Sequence, residues 1–180
     1  MKPEILLVVD VQVDFLPGGA LGVNKGFAII PKINELISNF KEKKFPIIYT
    51  KDWHTWSHCS FKHNKGPWPL HCLEHTGGAA FPDRLEIAGT VFHKGMNPSK
   101  EEYSALEEDG SLLEIFLKAI NPSSITVAGI ATDYCVKRHV IRLRELEFSV
   151  VVETNAIAGV ADETTAEALQ EMKAAGAILK

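Results

Sequence analysis

A chain of 180 residues is long enough for one well-buried core and short for two. Its residues are 46% hydrophobic and 23% charged, as in an ordinary globular domain. Nineteen basic and 23 acidic residues leave a formal net charge of -4 with no basic stripe, which argues against nucleic acid as a partner.

The first apolar run, Ile5 to Val9, reads as a strand and ends in Asp10. It is too short for a secretory leader, and no later run approaches the length of a membrane-spanning helix. After a turn at Pro17-Gly18-Gly19, the 3.6-residue spacing of Ile29, Ile33, Leu36, Ile37 and Phe40 predicts a helix from about Phe27 to Lys44. Strand two is expected over Pro46 to Thr50. The stretch from Lys51 to Arg84 is polar and aromatic, has little periodicity, and holds His54, His58, His63, His71 and His75. A loop of that length inside a compact domain is usually functional.

A third strand is expected over Thr90 to His93, a helix over Leu112 to Ile120, and a fourth strand over Ile125 to Ile130. A helix from Asp133 to about Leu146 follows, then a strand over Phe148 to Glu153. Asp162 is expected to cap a last helix through Ala175, with Gly176 at its C′ position and a final strand over Ala177 to Leu179. Such alternation builds a mainly parallel sheet covered on both faces, one domain over residues 1–180. Cys59, Cys72 and Cys135 are an odd count at irregular spacing, which argues for a reducing, cytoplasmic location rather than a disulfide framework.

Ligands of open parallel sheets bind outside the carboxyl ends of the strands, and four chemically active segments follow strands here. Cys135 opens a helix, where backbone N–H groups and the dipole favour a thiolate and an oxyanion; the competing reading is a buried structural cysteine. Asp10 is placed to take the thiol proton and pass it to a leaving amine, or else merely caps a turn. Lys94 is a cation that would favour ionisation of both, or a solvated loop lysine. Asp52-Trp53-His54, in an extended segment, puts two metal ligands on one side. His71 is the preferred third ligand and His58 its rival. His63 and His75 read as surface histidines, and Trp53 and Trp56 as pocket rim or loop packing.

The ordered set Asp10-Val11-Gln12-Val13-Asp14-Phe15 with Pro17-Gly18-Gly19, Lys51-Asp52-Trp53-His54, Trp68-Pro69-Leu70-His71-Cys72, His93-Lys94-Gly95 and Gly129-Ile130-Ala131-Thr132-Asp133-Tyr134-Cys135-Val136 resembles the nicotinamidase family of the isochorismatase-like hydrolases along nearly the whole chain. The resemblance implies a three-layer α/β/α sandwich and deamidation of nicotinamide to nicotinate and ammonia in NAD salvage. It implies Asp10, Lys94 and Cys135 as catalytic residues. Asp52, His54 and His71 would be ligands of a divalent metal, zinc first with iron or manganese as alternatives, and Ser60 would contact a metal-bound water. Phe15, Trp68 and Tyr103 would line the pyridine pocket. A cis peptide between Ile130 and Ala131, and an oxyanion hole from the amides of Ala131 and Cys135, are further implications. The small-molecule substrate is the expected partner, with homo-oligomerisation left open. Another amidohydrolase of the superfamily, and more remotely a metal-binding redox sensor, are the competing functions.

Overall fold

The computed structural model describes residues 2–180. Strand β1 (Glu4–Val9) lies at the centre of a six-stranded sheet with β2 (Ile47–Asp52), β3 (Thr90–Lys94), β4 (Ser124–Ile130), β5 (Val150–Ala158) and β6 (Ile178–Leu179). The strand order is β3-β2-β1-β4-β5-β6 and every pairing is parallel. Helices α1 (Gly26–Glu42), α2 (Leu112–Ile120), α3 (Lys137–Glu145) and α4 (Asp162–Ala174) complete the fold.

β1 shows how the sequence sorts itself into layers. Successive strand side chains point to opposite faces. Leu6 and Val8 accordingly join Ile29, Ile33 and Ile37 of α1 in one core. Ile5, Leu7 and Val9 join Leu113 and Leu117 of α2, Val140 and Leu143 of α3, and Met172 of α4 in the other. A strand buried on both faces must be apolar throughout, which is why Ile5 to Val9 carries no polar residue until the sheet ends.

The order reverses between β1 and β4, so a crevice opens at their carboxyl ends. Gly129 brings those ends together: its φ is +125°, and an added Cβ would lie 2.1 Å from the Val9 carbonyl oxygen. The register of β4 against β5 shifts between Val127 and Gly129, and a cis peptide joins Ile130 to Ala131.

Several boundaries differ from the expected ones. Asp52 and Lys94 are the last residues of their strands rather than lying beyond them. β5 runs on to Ala158, because Ala156 to Ala158 stay buried beside Gly129 and Ile130. The segment expected to open α3 is instead a wide turn over Thr132–Val136, in which Val136 N–H donates to Ala131 O at 3.0 Å. Asp162 does not cap α4; it is the first helical residue after Ala161. Asp133, in the turn after β4, instead holds the approach to the helix, accepting from Val160 N–H at 3.1 Å, Ala161 N–H at 3.4 Å and the Thr164 hydroxyl at 2.5 Å.

Candidate active site

Four strand ends deliver the predicted residues to one place. Asp10 follows β1, Asp52 ends β2, Lys94 ends β3, and Cys135 lies in the turn after β4. Lys94 Nζ is 3.1 Å from Asp10 Oδ2 and 3.5 Å from Cys135 Sγ, and it also pairs with Asp52 Oδ1. Asp10, Asp52 and Cys135 each offer an atom within 4.8 Å of the others. All four are buried, so the charges act on one another in a medium of low dielectric.

Neighbours hold this cluster in register. Thr50 Oγ1 donates to Asp10 Oδ1 at 2.6 Å. Asp10 itself adopts φ 49°, a left-handed conformation that aspartate tolerates better than most residues. Gln12 clasps the Asp52 backbone, donating from Nε2 to its carbonyl at 2.9 Å and accepting its N–H at 2.7 Å through Oε1.

The ion-pair chemistry follows from burial and contact. Burial alone would lower the Lys94 pKa, but Asp10, Asp52 and Cys135 raise it well above the lysine value. Burial opposes ionisation of Asp52, yet Lys94 and His54 hold it below the usual carboxylate range. Cys135 is subject to opposing influences. Burial raises its pKa, Lys94 draws it back, Asp10 and Asp52 add to the rise, and the net shift is well above the thiol value. Burial and the pair of carboxylates together outweigh the Lys94 charge.

Asp52 also belongs to a second cluster, with His54 and His71, whose ligand atoms lie within 4.8 Å of one another. His54 Nδ1 lies 2.9 Å from Gly95 O, and His71 Nδ1 lies 2.8 Å from Pro69 O. Donation from each Nδ1 to a carbonyl leaves both Nε2 lone pairs for a cation, the usual state of metal-binding histidine. With a carboxylate and two imidazoles, the donor set suits a zinc-class divalent ion with open coordination positions. Gly95 is required here: at φ +66°, an added Cβ would lie 2.3 Å from His54 Cε1. His58 is not in this set, and Ser60 Oγ lies 2.7 Å from His58 Nδ1. His63 and His75 are exposed. Trp53 stacks on His93 with centroids 4.8 Å apart, which makes it loop packing.

Beside both clusters lies a cavity of about 310 Å³, walled by Phe15, Trp68, Tyr103, Ala131 and Cys135 among others. That volume is at the small end of ligand sites and suits a single aromatic ring. Trp68 Nε1 donates to the Tyr103 hydroxyl at 3.1 Å. Tyr134, not anticipated from sequence, meets Trp68 edge-on at 5.5 Å. Glu101 also lines this cavity, and no pattern in the sequence marked it. His139 was missed as well, although it lies four residues after Cys135 on the same helical face. Its Nδ1 is 2.8 Å from the Cys135 carbonyl oxygen, and its Nε2 accepts Ala105 N–H at 3.0 Å.

A thiol, a carboxylate and an ammonium in mutual contact, at the switch point of a parallel sheet and next to a metal-ligand cluster, define a cysteine-dependent α/β hydrolase. The isochorismatase domain family matches residues 4–179, and the chain belongs to that family, within its nicotinamidase/pyrazinamidase group. It is 36% identical to the nicotinamidase of Escherichia coli (strain K12), over 99% of this chain and 95% of that one. The pyrazinamidase of Pyrococcus horikoshii in complex with zinc is 41% identical, with a TM-score of 0.93 and 98% of each chain covered. PnC1 from L. infantum in complex with nicotinate is 35% identical, with a TM-score of 0.91, covering 99% of this chain and 92% of that one. No helix among the described residues is long and apolar enough to cross a membrane.

Proposed function

We propose that this chain, acting as one hydrolase domain, hydrolyses nicotinamide to nicotinate and ammonia, with Cys135 as nucleophile, Asp10 as proton carrier and Lys94 as the fixed cation between them. The observation that carries the reading is the contact chain from Asp10 through Lys94 to Cys135 at the wall of an aromatic cavity. The nicotinamidase and pyrazinamidase identity of relatives above 30% identity supports the substrate class.

A flat pyridine ring fits between Phe15, Trp68 and Tyr103, with its carboxamide directed at Cys135. Asp10 takes the proton from the sulfur as the sulfur bonds to the amide carbon. Charge developing on the carbonyl oxygen is met by the amides of Ala131 and Cys135. Asp10 then passes its proton to the amide nitrogen, the C–N bond breaks, and ammonia leaves a thioester on Cys135. Water deprotonated by Asp10 attacks that thioester, the C–S bond breaks, and the sulfur recovers the proton. Lys94 keeps one positive charge against the carboxylates throughout, so the proton moves without leaving a bare anion in the cavity. Asp52, His54 and His71 would hold a divalent metal, which when bound supplies a Lewis-acidic charge for orienting the ring and lowering the cost of nearby anions. Three unpaired cysteines support a reducing, cytoplasmic compartment.

Ammonia release from nicotinamide, with metal analysis of the same sample, tests the reading. The Cys135→Ala protein is expected to release none while keeping its metal; turnover in that variant would point to direct attack by water.

A further inference from the structure

The loop that leaves β3 carries the carbonyl on which His54 rests. β3 is an edge strand whose last registered pair is Asp52 with Lys94, and Trp53 N–H donates to Lys94 O at 3.0 Å. Gly95 then turns away at φ +66°, and its carbonyl oxygen lies 2.9 Å from His54 Nδ1. A carbonyl only accepts, so in the neutral ring this contact puts the hydrogen on Nδ1 and leaves the Nε2 lone pair free. The group that takes a ligating histidine's N–H fixes the tautomer and orientation of the ring. Here that task falls to a glycine, the residue with the widest backbone freedom.

Glu102 removes that freedom. Its Oε2 accepts Gly95 N–H at 3.0 Å, a charge-assisted bond from a side chain only 14% exposed. The bond closes the chain from Gly95 to Glu102 onto the end of β3. Within this loop Asn97 Oδ1 accepts Ser99 N–H at 3.0 Å, and Pro98 O accepts Cys59 N–H at 2.7 Å. Trp53 fixes the peptide before Gly95 and Glu102 fixes the returning chain, so the Gly95 carbonyl is held from both sides. The other carboxylate oxygen lies 3.6 Å from Lys100 Nζ, an ion pair at the surface that contributes little.

We infer that Glu102 is a positioning residue for the metal cluster. Its carboxylate closes the loop on β3 and so holds the Gly95 carbonyl where it orients the His54 ring, with Nε2 free for a cation. Glu102 is not itself one of the clustered ligands; it acts through Gly95. Its own carbonyl oxygen lies 3.5 Å from Lys94 Nζ, so the same residue keeps the metal cluster in register with the catalytic one. The inference rests on Asp52, His54 and His71 as the ligands of a divalent cation and on no particular reaction.

A carboxylate near a cation also attracts it by charge alone, and two substitutions separate charge from positioning. Glu102→Gln keeps the acceptor at the same reach and deletes the charge. Glu102→Asp keeps the charge and withdraws the acceptor by one methylene. Zinc affinity of the metal-free, full-length proteins is measured against a chromophoric chelator, without substrate, because Glu102 also lines the aromatic cavity. The Asp protein is expected to bind zinc about 10- to 100-fold more weakly than the parent, as when a ligand loses its outer partner. The Gln protein is expected to stay within about threefold, since a neutral acceptor keeps roughly half the bond. Cobalt(II) d–d spectra are expected to follow the same order, with Gln overlaying the parent and Asp shifted. The reverse order of affinities would assign the effect to charge and overturn the positioning role, as would equal affinities in all three proteins. Weaker zinc binding by the Asp protein with an unshifted cobalt spectrum and a lowered metal-free Tm would also overturn it, placing the effect in folding. A parent that binds no zinc would instead remove the ligand cluster itself, and this inference with it.

Discussion

Lys94 Nζ lies 3.1 Å from Asp10 Oδ2 with both side chains out of solvent, in contact but without an aligned hydrogen bond to that oxygen. The ammonium therefore supplies charge while Oδ2 keeps a lone pair for the sulfur proton. Lys94 also pairs with Asp52, so one cation serves two carboxylates. Lys94→Met keeps the stem and deletes the charge. Removing one side of a buried pair costs about 3–5 kcal/mol, and chemical denaturation is expected to show a loss of that size together with loss of ammonia release. A loss below about 1 kcal/mol would mean that the two carboxylates share a proton at rest.

The resting state of Cys135 is testable by alkylation. Burial and the two carboxylates outweigh Lys94 and raise the thiol's pKa well above its ordinary value. A group with a raised pKa stays protonated over a wider range, so the reactive thiolate is scarce near pH 7 in the metal-free protein. Labelling of Cys135 by iodoacetamide, followed by mass spectrometry, is expected to be slow at neutral pH. It should still be accelerating beyond about pH 8.5, the free-cysteine value. A rate that levels off below neutrality would restore the thiolate expected from the helix start.

The metal cluster has its own test. His71 lies in the loop between Trp68 and Cys72 rather than in the sheet, so His71→Ala removes a ligand without touching the Lys94 pairs. Bound metal and ammonia release are expected to fall together, with far-ultraviolet circular dichroism unchanged and activity partly restored by added zinc. Full turnover in a sample shown to be metal-free would remove the cluster from the reaction.

What was legible in the sequence was the part written in local patterns. Ile5 to Val9 had to be a central strand because nothing polar interrupts it, and Asp10, Asp52, Lys94 and Cys135 declared themselves by following such runs. Asp52 and His54 also stood out as a ligand pair, since they share one side of an extended segment, whereas the third ligand was left between His71 and His58. Asp133 could not be read correctly, because its partners Val160, Ala161 and Thr164 lie a full strand away. The same holds for Gln12 on Asp52 and Glu101 at the cavity, whose roles depend on which loops the sheet brings together. The raised pKa of Cys135 was hidden for a related reason: the strand-to-helix position is local, whereas burial and the approach of two carboxylates are tertiary.

His139 shows how such a tertiary residue can be tested. It bridges the Cys135 carbonyl at 2.8 Å and Ala105 N–H at 3.0 Å, tying the nucleophile's turn to the segment that carries Tyr103. It touches no substrate, so its role is positioning. Burial, partly opposed by Asp10, lowers its pKa to about 4 from 6.5. A histidine with a depressed folded pKa stabilises the protein above the unfolded value and loses that contribution as pH falls from about 6.5 to 4. The full contribution is on the order of 3 kcal/mol. His139→Gln is expected to flatten the fall in Tm between those pH values relative to the parent. It should also lower kcat more than KM, since the pocket walls stay while the sulfur's aim is loosened. A parallel pH–Tm slope in both proteins would show that His139 is not the group that titrates. Unchanged kcat would show that the turn carrying Cys135 holds its geometry without the bridge.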